Sequence, residues 1–233
     1  MLLLFDIDGT LLVGASRTHA ESLLHAVGEV YGVSGLSSAG VEAAGRTDLE
    51  IARLILLRQG VSAERIDSGL ADLQLATTEQ FARRCPPSLV ENLVPGVAEL
   101  LYRLAARPEV VLSLVTGNLE PVARLKLERA GIGTLFERGQ GGFGSDSEDR
   151  TDLPPIARSR AGDRDSTPYP RERTVVIGDT PRDIACAQSD SLRCLAVTTG
   201  PYAAAELVRA DGVARDSGEL EALIDEELAR AAA

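Results

Sequence analysis

Two aspartates near the start of the chain have the spacing of a catalytic carboxylate pair. Asp6 and Asp8 lie in the segment DIDGTL (residues 6–11), directly after the apolar run Leu2–Phe5. Such a run predicts a buried strand, and open α/β sheets bind ligands at the carboxyl ends of their strands. A carboxylate there can attack an electrophile, its neighbour can transfer protons, and a divalent cation can bind between them. The pattern therefore predicts Asp6 as a nucleophile and Asp8 as an acid–base group.

Two later apolar strands are also predicted to end in polar residues. Residues 110–115 (VVLSLV) precede residues 116–118 (TGN), and residues 174–177 (TVVI) precede residues 178–183 (GDTPRD). The carboxyl ends of parallel strands lie along one edge of a sheet, so the two clusters are expected to converge with the aspartate pair. This convergence indicates one shared site.

A long helical stretch separates the first two of these strands. Apolar residues recur at helical spacing over residues 16–31, where Ser16 is a candidate cap, and helical sequence continues to about residue 84. Helix and strand alternate after that. The pattern predicts an α/β fold in which a doubly wound parallel sheet carries an inserted all-helical cap. Residues 1–14 and 91–233 would form the core, and residues 15–90 the cap.

Composition limits the classes of function. The chain has 233 residues and a net charge of −11, which argues against binding nucleic acid or anionic membranes through general charge. Its three cysteines lack the spacing of a disulfide framework or a zinc site, which favours a reducing compartment. No signal peptide or membrane-spanning run is visible, so a cytoplasmic location is predicted. The sequence leaves monomer and homodimer open.

The three motifs, in this order, resemble the haloacid dehalogenase superfamily. They look like its phosphatase branch with a helical cap between the first and second motifs, similar to phosphoglycolate phosphatases, and the resemblance spans nearly the whole chain. It implies a Mg²⁺-dependent phosphatase that hydrolyses small phosphate monoesters of metabolites. Asp6 would form an aspartyl-phosphate, and Asp8 would protonate the leaving alcohol and then deprotonate water.

The resemblance also implies a metal site. Mg²⁺ would be held by the Asp6 carboxylate, the Asp8 backbone carbonyl and Asp179, because a hard cation prefers oxygen ligands. Asp183 would belong to the same metal site and orient a metal-bound water or the loop, or could simply begin a helix.

A phosphate site is implied at the second motif. Thr116 would donate its hydroxyl to a phosphoryl oxygen, helped by backbone N–H groups near Gly117 and Asn118 at a helix start. The glycine-rich residues 139–144 lack the Gly-Lys-Ser/Thr ending of a nucleotide-binding loop and are predicted to be a flexible loop.

The sequence departs from the family at one position. A lysine usually neutralises the nucleophile and the phosphate, but no lysine occurs between Ala130 and Gly178. Arg150 is predicted to take its place, although the acidic residues at 146–149 could pair with it instead. Arg158 is expected to lie too far down its helix, and Lys126, the only lysine, meets the same objection.

Substrate choice is expected to depend on the cap. Arg46, in the segment GRTD (residues 45–48), could bind an anionic part of the substrate or could be exposed beside a helix cap. Arg17 and His19, near the base of the cap, are expected on the surface or in packing.

Other functions are possible on the same fold. A sugar phosphomutase would share the whole catalytic set. A 2-haloacid dehalogenase needs neither Asp8 nor a metal, so the presence of both Asp8 and Asp179 speaks against it. A phosphonate hydrolase would need a cap lysine, which is absent from residues 15–90. A non-catalytic binding domain would not need the intact carboxylate set.

Overall fold

The apolar run at the start of the chain forms a central strand of a parallel sheet. A computed structural model describes residues 1–162 and 167–232 of the protein. The strands are β1 (Leu2–Phe5), β2 (Val111–Thr116), β3 (Gly142–Phe143), β4 (Thr174–Gly178), β5 (Arg193–Val197) and β6 (Gly212–Ala214). They pair in parallel in the order β3-β2-β1-β4-β5-β6. The chain therefore winds outward from β1 in both directions.

The helices are α1 (Ser16–Tyr31), α2 (Asp48–Arg58), α3 (Ala63–Arg84), α4 (Val97–Ala105), α5 (Glu120–Arg129), α6 (Leu153–Arg160), α7 (Pro181–Ser189) and α8 (Ser217–Ala232). The last five, α4 to α8, cover the two faces of the sheet. Leu3 and Phe5 of β1 pack in one core with α4, α5 and α8. Leu2 and Leu4 point to the opposite face and pack in a second core with α6 and α7. Because both faces of β1 are buried, its sequence is uniformly apolar.

The stretch from α1 to α3 contains helices and no strand. Its apolar faces form a third core, which includes Leu23, Leu56 and Phe81. Leu119 and Val122 belong to the same core, so α5 and the residue before it attach these helices to the sheet. No helix in the described part of the chain is both long and apolar enough to cross a bilayer.

The predicted fold class is confirmed, with three local corrections. Ser16 does not cap α1, because the helix begins at Ser16 and Ala15 makes no side-chain cap bond. The short strand β6 was not predicted, since three residues carry too little periodicity. The predicted flexible loop over residues 139–144 contains β3, whose Gly142 would place a Cβ 2.4 Å from the Leu153 carbonyl oxygen. Glycine there permits close packing of backbone.

Candidate active site

The turn after β1 lies close to the end of β4. The Asp6 N–H donates to the Ile177 carbonyl at 2.9 Å, which continues the pairing of β1 with β4 past the end of β1. Gly9 has φ +87°, and a Cβ at this position would lie 2.2 Å from Asp179 Oδ2. Any larger residue would therefore displace the Asp179 carboxylate, because the backbone conformation and the space both require glycine.

Three buried carboxylates meet at this edge. Asp6, Asp179 and Asp183 each offer an oxygen within 4.8 Å of the others. Arg150 Nη2 lies 3.1 Å from Asp6 Oδ2 and also pairs with Asp183 Oδ1. Asp183 Oδ2 accepts from the Thr180 N–H at 2.9 Å, in a capping box that begins α7. The Asp183 carboxylate therefore caps the start of α7 and also pairs with Arg150 in the site.

The three carboxylates repel one another. Burial raises the pKa of Asp6, the positive charge of Arg150 opposes that shift, and the neighbouring Asp183 adds to it. Burial also raises the pKa of Asp179, and the charges of Asp6 and Asp183 raise it further. One arginine therefore leaves negative charge in excess. A buried set of oxygen donors with excess negative charge fits a hard divalent cation such as Mg²⁺.

Asp8 lies in a separate polar network. Its Oδ2 accepts from Lys126 Nζ at 2.6 Å and from Asn118 Nδ2 at 2.9 Å. Burial alone would raise the pKa of Asp8, but the charges of Lys126 and His19, with the bonds from Lys126 and Asn118, lower it overall. Its Oδ1 is buried with no hydrogen-bond partner among the described residues. The network therefore fixes one carboxylate oxygen of Asp8 and leaves the other without a hydrogen-bond partner.

Lys126 connects Asp8 to the helices α1 and α2. Its ammonium is fully buried, donates to Asn118 Oδ1 at 2.7 Å and lies 3.1 Å from His19 Nδ1. His19 Nε2 lies 3.0 Å from Asp48 Oδ2, which also accepts from the Leu119 N–H at 2.8 Å. An unbroken series of polar contacts therefore links α1 and α2 to Asp8 through Lys126.

The expectation that Lys126 lies too far from the site was wrong. Side chains in a helix point back toward its N-terminus, and an extended lysine adds further reach in that direction. Lys126 lies in the second turn of α5, so its ammonium returns to the edge of the sheet where that helix begins. Of the two residues expected on the surface or in packing, Arg17 is exposed, and His19 is buried against Phe81 and also belongs to this network. The sequence signal that could have pointed to this role is that Lys126 is the single lysine of the chain.

The second motif packs closely against the start of α2. Thr116 is fully buried, and its hydroxyl accepts from the Asn118 N–H at 3.4 Å and from Asn118 Nδ2 at 3.2 Å. A Cβ at Gly117 would lie 2.0 Å from the Arg46 carbonyl oxygen, and the Gly117 carbonyl accepts from the Asp48 N–H at 2.8 Å. Gly117 and Asn118 face the cavity described below, while Thr116 lies behind them.

The other predicted arginines have different surroundings. The Arg46 guanidinium is bonded to Glu50 and to the Glu42 carbonyl, the latter at 2.9 Å. Arg158 forms a buried pair with Asp190 at 2.6 Å, away from the three carboxylates. Of the acidic residues near Arg150, two pair with other arginines and one caps the turn that Arg150 begins. Arg150 is thus directed to the site.

A cavity of about 470 Å³ opens above these groups. Asp6, Asp8, Arg150 and Asp179 lie among its lining residues, together with side chains of α1 and α2. The sheet edge thus supplies carboxylates and a cation, and the helices supply the facing wall.

A carboxylate pair follows β1 and faces helices that are inserted before β2. This arrangement is typical of one class of hydrolases, and a sequence comparison finds the same class. The family model for haloacid dehalogenase-like hydrolases matches residues 3–188. The chain belongs to this family, so the resemblance seen in the motifs is confirmed. A search of curated proteins gives no match.

Solved structures with the same fold include a putative phosphomutase and a predicted phosphatase. A putative β-phosphoglucomutase from Bacteroides vulgatus is 22% identical with a TM-score of 0.66, over 99% of this chain and 89% of that one. CbbY from Rhodobacter sphaeroides, in complex with phosphate, is 22% identical with a TM-score of 0.65, over 94% and 95%. A predicted phosphatase from Clostridium acetobutylicum is 18% identical with a TM-score of 0.68, over 97% and 98%. At these identities the likeness shows the fold.

Proposed function

We propose that this protein is a Mg²⁺-dependent phosphatase that hydrolyses small phosphate monoesters through an aspartyl-phosphate on Asp6. One observation carries the proposal. Asp6 belongs to a carboxylate cluster with excess negative charge, and it lines the same cavity as a second aspartate, Asp8. Nucleophile, proton donor and cation site are the parts that phosphoryl transfer to a carboxylate requires.

The reaction would proceed in two displacements. An Asp6 oxygen attacks phosphorus, the bond from phosphorus to the alcohol oxygen breaks, and Asp8 gives that oxygen its proton. Asp8 then takes a proton from water, which attacks phosphorus and releases Asp6 and inorganic phosphate. The pairing of Asp8 with Lys126 stabilises the ionised form, from which this second displacement begins.

Positive charge would come from two sources. Asp6, Asp179 and the Asp8 backbone carbonyl would hold Mg²⁺, with Asp183 beside them, and the ion would neutralise phosphoryl charge. Arg150 would take the place of the family lysine, because its guanidinium already contacts Asp6 and its Nε has no hydrogen-bond partner among the described residues.

The second motif, residues 116–118, would also bind the phosphoryl oxygens. We propose that the backbone N–H groups of Gly117 and Asn118 donate to them, since both residues line the cavity and Asn118 contacts Asp8, while the buried Thr116 hydroxyl holds Asn118 in place.

The helices α1 to α3 would act as a cap. We propose a division into a core of residues 1–14 and 91–233 and a cap of residues 15–90, because the cap helices have a core of their own. Closure of the cap would exclude water from the phosphoryl group. We also propose a cytoplasmic location, which the three free cysteines support.

Phosphate release from p-nitrophenyl phosphate tests the proposal. Purified protein should release phosphate with Mg²⁺ and not with EDTA, and Asp6→Asn should abolish turnover because an amide is a poor nucleophile. Asp72→Asn, on the exposed side of α3, is the matched control and should keep turnover. Near-normal turnover in Asp6→Asn would contradict the covalent mechanism. Halide release from 2-haloacids without phosphate release would indicate a dehalogenase, and a phosphorylated isomer as product would indicate a phosphomutase.

A further inference from the structure

The wall of the cavity that faces Asp6 is apolar. The helices α1 and α2 and the segment between them present aliphatic side chains to the space above the carboxylates. Six of these are Ala20, Leu23, Leu24, Val41, Ile51 and Ile55. The part of a substrate that extends away from the phosphoryl group must contact this wall, since the phosphoryl group itself has to lie at Asp6.

Every charged side chain of this wall already has a partner. Arg46 is bonded to Glu50 and to the Glu42 carbonyl. His19 lies between Lys126 and Asp48. The remaining polar side chains that the two helices and their linker contribute to the cavity are the hydroxyls of Ser16 and Ser38.

This pairing makes the wall unfavourable for a second anionic group. A carboxylate or second phosphate placed against it would lose its hydration without gaining a cation, which is costly. A hydrocarbon group would instead be removed from water, with a gain of about fourfold in affinity for each methylene buried. Among the described residues that line the cavity, the remaining cation is Arg150, which lies beside Asp6, where the phosphoryl group would bind, and is itself paired with Asp6 and Asp183.

Building on the proposed phosphatase function, we propose that the substrates are phosphate monoesters of apolar alcohols, aliphatic or aromatic, rather than carboxylated esters such as phosphoglycolate or esters with a second phosphate. A cavity of about 470 Å³ is within the range in which small organic ligands are bound.

A homologous series of esters tests this assignment. Ethyl, butyl and hexyl phosphate have leaving alcohols of nearly equal acidity, so differences in kcat/KM report contacts with the wall. We expect kcat/KM to rise two- to fourfold for each added methylene until the cavity is filled. An ester of the same length that ends in a carboxylate should be at least tenfold poorer than the alkyl ester.

A matched pair of variants at Ala20 provides the second arm. Ala20 is exposed on α1 and lines the cavity, so a larger side chain there can be accommodated. Ala20→Arg should add an unpaired cation and shift the ratio of kcat/KM values toward the carboxylated ester by about tenfold. Ala20→Met adds similar length without charge and should retain the preference for alkyl esters.

The outcomes separate this inference from the proposed function. If p-nitrophenyl phosphate is hydrolysed but the carboxylated ester is preferred, or kcat/KM is flat across the alkyl series, the apolar assignment is wrong and the phosphatase stands. If no monoester is hydrolysed, both are wrong. A rising series with a tenfold penalty for the carboxylate supports both.

Discussion

Replacing Lys126 with Met removes a buried ammonium and keeps an apolar side chain in its place. In the native protein Nζ donates to Asp8 Oδ2 at 2.6 Å and to Asn118 Oδ1 at 2.7 Å. Removing one partner of a buried ion pair costs about 3–5 kcal/mol. Two features reduce this cost, because 26% of the Asp8 side chain is exposed and the ammonium no longer has to be buried. We therefore expect the free energy of unfolding to fall by about 2 kcal/mol.

The loss should depend on pH, because Lys126 stabilises the ionised form of Asp8. The pKa of Asp8 is lowered from its ordinary 3.8. Such a group contributes stability above its unfolded pKa, and the contribution is lost as pH falls through the folded pKa. Wild-type protein has this contribution at neutral pH, whereas Lys126→Met lacks most of it. The difference in unfolding free energy between the two proteins should therefore shrink as pH falls below about 4.

Urea unfolding followed by circular dichroism measures both effects. Arg129→Met is the control, since Arg129 is an exposed cation at the end of the same helix and its loss should change stability by less than about 0.5 kcal/mol. The reasoning is refuted if Lys126→Met matches this control, or if its deficit is the same at pH 7 and at acidic pH.

Three further predictions concern the carboxylate cluster. Burial and neighbouring carboxylates raise the pKa of Asp6 to about 6 and of Asp179 to about 8, so the folded protein holds protons that the unfolded chain has released. In EDTA the melting temperature should therefore fall as pH rises from about 4 to about 8, with Mg²⁺ restoring most of the loss at the upper end; a flat profile would contradict the charge excess. Arg150→Ala should lose turnover on the order of 100-fold while Arg158→Ala keeps it, and an inactive Arg158→Ala would show the assignment to be wrong. Gly9→Ala should displace Asp179 and weaken Mg²⁺ binding measured by calorimetry, whereas unchanged binding would mean that the turn relaxes without moving the carboxylate.

Local patterns in the sequence determined the central strands of the sheet, most of the helices and the family. Apolar runs predicted β1, β2 and β4 because strands buried on both faces have nearly continuous apolar sequences. Residue types that favour helix caps do stand at the starts of α2 and α3, where the side chains of Thr47 and Ser62 accept from backbone N–H groups three residues on. Polar clusters at the ends of three parallel strands also predicted convergence at one edge, since parallel topology alone requires it.

Only the tertiary structure decided how the site is completed. Lys126 and Asp8 are 118 positions apart, and their contact depends on the packing of α5 and on the direction of its side chains. The pairing of Arg46 with Glu50, which leaves the wall without a free cation, is likewise invisible in a motif. Such contacts join side chains from elements that are individually predictable, but the distances depend on how those elements pack, and no short sequence pattern contains that geometry.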